Sequence, residues 1–143
     1  MKLVVSTPLE IVVEDDDVAH VRAEDASGAF GILRGHADFL TALSVSVLSW
    51  RDLRGRERHV ALRGGVLEVR DGERVEVASR EAVAGDDLRR LQDEVLRRFR
   101  SRQETEQSAR SDAQRLYLAA IRQIYSYLRG TPPPAFPRVG DES

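Results

Sequence analysis

The sequence contains no cysteine, one methionine, one tryptophan and, against 21 arginines, a single lysine at position 2. The missing cysteine removes disulfides, thiol nucleophiles and thiolate metal sites together, and it fits a reducing compartment. Aromatic residues make up only 6% of the chain, and the three tyrosines all fall between positions 117 and 127, which leaves few rings for stacking bases along exposed strands. No apolar run approaches the roughly 20 residues that cross a bilayer, and MKLVVSTPLE lacks the apolar core of a signal peptide. No Walker motif, G-x-S-x-G or H-E-x-x-H occurs, so no catalytic signature is legible.

What is present is the composition of a folding domain. With 41% hydrophobic and 32% charged residues in 143, the chain is long enough to bury a core. Its net charge of −2 is uneven: residues 1–85 carry −4, and residues 86–130 carry +3. Two different surfaces are expected.

To about residue 80 the pattern has period two. Leu43, Val45 and Val47 alternate with Ser44 and Ser46, and Val75 and Val77 alternate with Arg74 and Glu76, which sends one face into a core and the other into water. Turn chemistry at Asp15-Asp16-Asp17, Ser27-Gly28, Arg54-Gly55-Arg56, Gly64-Gly65 and Asp71-Gly72 cuts this region into short strands, the pattern of a β-sandwich or small barrel. Asp71-Gly72 is the sharpest signal, because a type I′ hairpin turn needs positive φ at both central positions.

After Gly85 the period becomes helical. Leu88, Leu91, Val95 and Phe99 share one face, and Ala109, Ala113, Leu116, Ala120, Ile124 and Leu128 share another, with the polar SRQETEQS between them. Asp86 is a candidate cap for a first helix, and Ser111 with Gln114 has capping-box spacing for a second. No glycine or proline interrupts residues 86–129, so the pattern fits a two-helix hairpin or one extended helix. The reading is an α+β chain: a sandwich over 1–85, a helical domain over 86–130, and a proline-rich tail over 131–143 that is expected to be disordered.

Several motifs have bland explanations. His20, His36 and His59 show no H-x-H or H-x-x-x-H spacing and read as surface or turn residues, not metal ligands. Asp15–Asp17 lacks calcium-loop spacing and reads as a solvated turn. Arg63-Gly64-Gly65 resembles one RGG unit of an RNA-binding protein, but a single copy leading into a strand reads as a bulge or tight bend. Arg97, Arg98, Arg100 and Arg102 suit either a helix end or an acidic partner surface. On residue type alone, a nucleic-acid-binding β-barrel with an arginine-rich helical arm remains an alternative, and a metal-dependent jelly-roll enzyme is a weaker one.

FGILRGHADFLTAL, VALRGGVLEVRDGERVEVAS and the helical segment follow one another in the order found in the epsilon subunits of bacterial and organellar rotary ATP synthases, and residues 3 to about 88 resemble that family. The resemblance implies a flattened sandwich of about ten strands with a C-terminal helical hairpin. It also implies a noncatalytic rotor subunit, without cofactor or metal, that joins the gamma shaft to the c-ring of a proton- or sodium-translocating enzyme. Such a subunit sits peripherally on the cytoplasmic face of a bacterial inner membrane. Carried over from the family's ring-proximal loop are Gly28, Ala29, Phe30, Gly31, Ile32, Leu33, Gly35, His36 and Ala37, together with Arg34. Phe30, Ile32, Phe39 and Leu40 are expected to divide between core and interface. The four arginines from Arg97 to Arg102 are matched by charge to an acidic loop of the alpha/beta head, where the helices of this family brake hydrolysis.

The family usually has proline where Arg34 and Asp38 stand, so Arg34 is expected to seek an acidic partner, with Asp38 a candidate. The same departures are similar to the divergent second-copy branch, some members of which are associated with sodium. The family's I/L-D-x-x-R-A nucleotide motif is replaced by Leu88-Arg89-Arg90-Leu91-Gln92-Asp93, without the acid or the arginine. Titration of the purified chain with ATP in a calorimeter is therefore expected to give no saturable heat.

Overall fold

The computed structural model describes residues 1–129, which divide into two compact units, residues 1–103 and, among the described residues, 104–129. Gly130 and the expected tail over 131–143 lie outside the described residues.

The first unit holds eight strands: β1 (Lys2–Ser6), β2 (Ile11–Asp15), β3 (Val18–Asp25), β4 (Gly28–Leu33), β5 (Phe39–Asp52), β6 (Glu57–Arg70), β7 (Arg74–Ala78) and β8 (Ala82–Gly85). They pair in the order β2-β1-β7-β6-β5-β3-β4, with β8 on β6, and only β1 and β7 run parallel. The count is eight, not about ten, because β5 and β6 are 14 residues each and β6 runs straight through Gly64-Gly65, where the sequence suggests a break. The other four turn signals each end a strand.

At Gly64-Gly65 the chain bends instead of stopping. Their φ angles are +68° and +126°, and a Cβ on Gly65 would lie 2.2 Å from the Ala78 carbonyl oxygen, so only glycine fits. The bend changes which side chains point inward. Val60 and Leu62, at even positions, and Leu67 and Val69, at odd ones, all enter the same main core. The partner strand switches likewise, since Leu43 precedes the bend and Leu48 and Trp50 follow it in that core. Beyond the bend the flanking strand also changes, because residues 59–62 of β6 pair with β8 and residues 66–70 pair with β7.

The main core joins Leu3 and Val5 of β1, Val21 of β3, Ile32 of β4 and Val75 and Val77 of β7, all at 2% exposure or less. Val75 and Val77 thus follow the alternation read from the sequence. Val45 and Val47 do not, for they face away from the main core and pack against a second cluster of Ala61, Leu91, Val95, Leu96 and Phe99. Both faces of this sheet region are covered. Alternation alone marks one face as buried and cannot show that a later helix covers the other.

Among the described residues the helical run has no hairpin. It comprises α1 (Leu88–Arg90), a wide π turn (Leu91–Val95) and α2 (Leu96–Leu128). The cap is Asp87, not Asp86: its carboxylate accepts from the Arg90 N–H at 3.2 Å. Ser111 and SRQETEQS lie inside α2, so Ser111 caps nothing. The wide turn lets Leu91, Val95, Leu96 and Phe99 meet the sheet together. This explains why the first unit extends to Gln103, beyond the last strand.

Phe99 is 1% exposed and central to the second cluster. Phe99→Ala is expected to lower unfolding free energy by about 3–5 kcal/mol, read as a reduced urea midpoint with an unchanged slope.

Candidate functional site

The candidate residues 28–36 do not form one loop. Gly28 to Leu33 form β4, an edge strand of the sheet, and only Arg34 to Asp38 make the connection to β5. Gly28, at φ +120°, follows a turn in which Asp25 accepts the Ser27 N–H at 2.9 Å and the Thr41 hydroxyl at 2.8 Å. Gly31 faces His20, whose Nε2 would lie 2.9 Å from an added Cβ. Ile32 is wholly buried and so belongs to the core rather than to any interface, whereas Phe30 is partly buried against that core. Leu33 and Leu40 are 61% and 66% exposed, and Phe39 is 37% exposed.

The connection folds onto the β6–β7 turn. Glu73 N–H donates to the Arg70 carbonyl at 3.1 Å, and Asp71 and Gly72 have φ of +56° and +62°, the two positive values that a type I′ turn requires. Gly35 N–H donates to the Gly72 carbonyl at 2.8 Å, and a Cβ on Gly72 would come within 2.7 Å of Gly35 Cα. Arg34 Nε donates to Glu73 Oε1 at 2.6 Å, and Asp38 Oδ1 accepts the Asp71 N–H at 2.9 Å. Arg34 therefore finds its acidic partner in Glu73 and not in Asp38, a pairing invisible to local reading because 39 residues separate the two. With 75% and 49% side-chain exposure, the Arg34–Glu73 pair contributes only about 0.2–1 kcal/mol. His36 folds back, with Nδ1 2.7 Å from the Ala37 carbonyl oxygen and its ring 5.9 Å from that of Phe39, which in turn meets Phe30 edge-on at 5.6 Å. Leu33 and Leu40 are left as apolar shoulders of a closely held backbone tip.

The histidines are dispersed. His20 lies on β3 over Gly31, His36 sits in the tip, and His59 on β6 shares a 2.6 Å hydrogen bond with Ser49. Trp50 donates from Nε1 to Asp15 Oδ2 at 3.1 Å, so the acidic turn supports a core side chain. Elsewhere on the sheet, β1, β2, β6 and β7 form a groove in which Val4, Ile11, Val66, Val77 and Ala78 supply apolar surface and Ser6, Glu68 and Glu76 supply polar groups. Sequence reading missed this groove because its residues come from four strands.

The arginine cluster is split. Arg97, Arg98 and Arg100 are exposed, but Arg102 is ion-paired to Glu81, which also faces Arg63 at 3.5 Å. In the second unit, Leu116, Tyr117, Ile124, Tyr125 and Leu128 of α2 are all more than half exposed, and the Arg129 guanidinium lies 4.2 Å above the Tyr125 ring. No helix among the described residues is long and apolar enough to cross a membrane.

Residues 1–85 match the family described as ATP synthase, Delta/Epsilon chain, beta-sandwich domain. The chain belongs to the ATP synthase epsilon family. It is 42% identical over 132 residues to the ATP synthase epsilon chain 2 of Cereibacter sphaeroides, covering 92% of this chain and 90% of that one. It is 40% identical over 129 residues to the epsilon chain 2 of Paraburkholderia xenovorans, covering 90% and 93%. Among solved structures, a chain of the Euglena gracilis mitochondrial ATP synthase, in an OSCP/F1/c-ring assembly, superposes with a TM-score of 0.55 at 24% identity. That match covers 57% of this chain and 51% of the other. A chain of the Tetrahymena thermophila central stalk and c-ring gives 0.50 at 17% identity, covering 58% and 65%. At these identities the likeness is one of fold. Both epsilon chain 2 relatives fit the second-copy branch suggested by Arg34 and Asp38.

The hydroxyls of Ser27 and Thr41 hold the Asp25 carboxyl below its ordinary 3.8. A carboxyl lowered on folding stabilises fully above 3.8, and the contribution is lost as pH falls through the lower folded value. Asp25→Asn is therefore expected to flatten the acid limb of a stability–pH curve obtained from urea midpoints, with the neutral limb keeping its slope.

Proposed function

We propose that this epsilon-family chain is a noncatalytic rotor subunit that joins the gamma shaft to the c-ring, so that ion-driven rotation of the ring turns the shaft. The observation that carries the reading is similarity to two epsilon chains over nine-tenths of all the chains concerned. The fold neighbours, one a chain of an OSCP/F1/c-ring assembly and one a chain of a central stalk with c-ring, support it.

The tip supplies suitable chemistry for the ring side. Its glycine backbones allow close approach, and Leu33 and Leu40 offer apolar surface on either side of a turn. The groove of Val4, Ile11 and Val66 supplies apolar surface for gamma, where a standard interface removes roughly 1,200–2,000 Å² from water. In this reading the chain is peripheral, held at the cytoplasmic face of the membrane through its partners. Regulation falls to the helix: Arg97, Arg98 and Arg100 present positive charge to an acidic loop of the alpha/beta head, and Arg102 instead serves the pair with Glu81.

Purification of the tagged chain from membranes, washed at low salt and then with chelator, is expected to recover alpha, beta and gamma subunits; recovery of nucleic acid in their place overturns the reading. In the recovered complex, the Arg97→Ala, Arg98→Ala, Arg100→Ala triple variant should raise ATP hydrolysis at least about 5-fold, the lower end of ordinary coupling between sites. Unchanged hydrolysis removes the braking role and leaves the rotor assignment standing.

A further inference from the structure

Three consecutive residues of the β6–β7 turn each hold one residue of the β4–β5 connection. Asp71 N–H bonds the Asp38 carboxylate, the Gly72 carbonyl accepts from Gly35 N–H, and the Glu73 carboxylate accepts from Arg34. The order is reversed along the two segments, 71 to 38, 72 to 35 and 73 to 34, so the two turns lie side by side and are joined at three points. Gly72 adds a steric condition: with only 2.7 Å between its would-be Cβ and Gly35 Cα, the turns are in backbone contact.

This is more than the end of a sandwich requires. The β6–β7 hairpin closes through its own Glu73-to-Arg70 bond, and the residues joining it to the other turn are largely exposed. What the contacts do constrain is the path of Arg34 to Asp38, the segment between the exposed side chains Leu33 and Leu40. A connection of this length without partners samples many backbone states, and a partner must order it on binding.

We propose that the Asp71-Gly72-Glu73 turn is a positioning element that pre-orders the Leu33–Leu40 tip for its partner. Glu73 and Asp38 are then positioning residues, acting through Arg34 and the Asp71 amide, while Leu33 and Leu40 make the contact. The inference rests on the rotor reading for the identity of the contact, but not for the existence of the clamp.

The test uses the full chain added back to ATP synthase depleted of it, beside amide hydrogen exchange of the chain alone. Glu73→Ala and Asp38→Ala are each expected to speed exchange at Gly35 and His36 and to weaken rebinding roughly 3- to 10-fold, the cost of ordering one or two side chains. The charge-reversed pair Arg34→Glu with Glu73→Arg should restore both. Leu33→Asp with Leu40→Asp should weaken rebinding while leaving exchange at Gly35 slow. Unchanged exchange in Glu73→Ala and Asp38→Ala overturns the clamp, and faster exchange with undiminished rebinding overturns its positioning role. Full rebinding by the double-aspartate variant overturns the docking role of the tip itself.

Discussion

The structure depends on a close approach of backbone to backbone at Gly65, where β6 passes the Ala78 carbonyl with no space for a side chain. The bend there reverses which face of the longest strand pair looks inward. One pair of strands therefore builds the main core at both ends and presents Val45, Val47 and Ala61 on its outer side. Without the reversal, Val45, Val47 and Ala61 would turn to the inner side and Phe99 would lose the residues it packs against. The glycines give up side-chain packing and gain a corner that makes one sheet behave as two layers.

The tip repeats this physics at the surface. Gly35 and Gly72 approach as closely as backbones allow, and charged residues on either side add directional bonds of small individual energy. Burial sets the fold here, and many exposed contacts set the local shape. The rotor role proposed above would require the second as much as the first, because a coupling subunit transmits work through its surfaces.

Much of the fold was legible because its signals are local. Asp71-Gly72 specified its turn through φ angles that few other residues adopt, Val75 and Val77 showed their buried face through period two, and Leu91, Val95 and Phe99 showed theirs through the helical period. Less of the candidate site could be read. Ile32 sits in an apolar run with Leu33, and only the strand's pairing shows that one is core and the other exposed. Asp86 and Asp87 are equally good caps by composition, and Ser111 has cap spacing within an unbroken helix.

By itself, the sequence determined the family, the change from strands to helix near Gly85 and the places where the backbone needs glycine, since each is written in residue type and short spacing. Tertiary structure decided the partners: Arg34 with Glu73, Asp38 with the Asp71 amide, Arg102 with Glu81, and Val45 and Val47 with the helix. Propensity and periodicity act over a few residues, whereas these contacts join segments 21 to 39 residues apart, or a strand to a later helix. Only the folded sheet brings such segments together, and chain distance carries no record of which charge meets which.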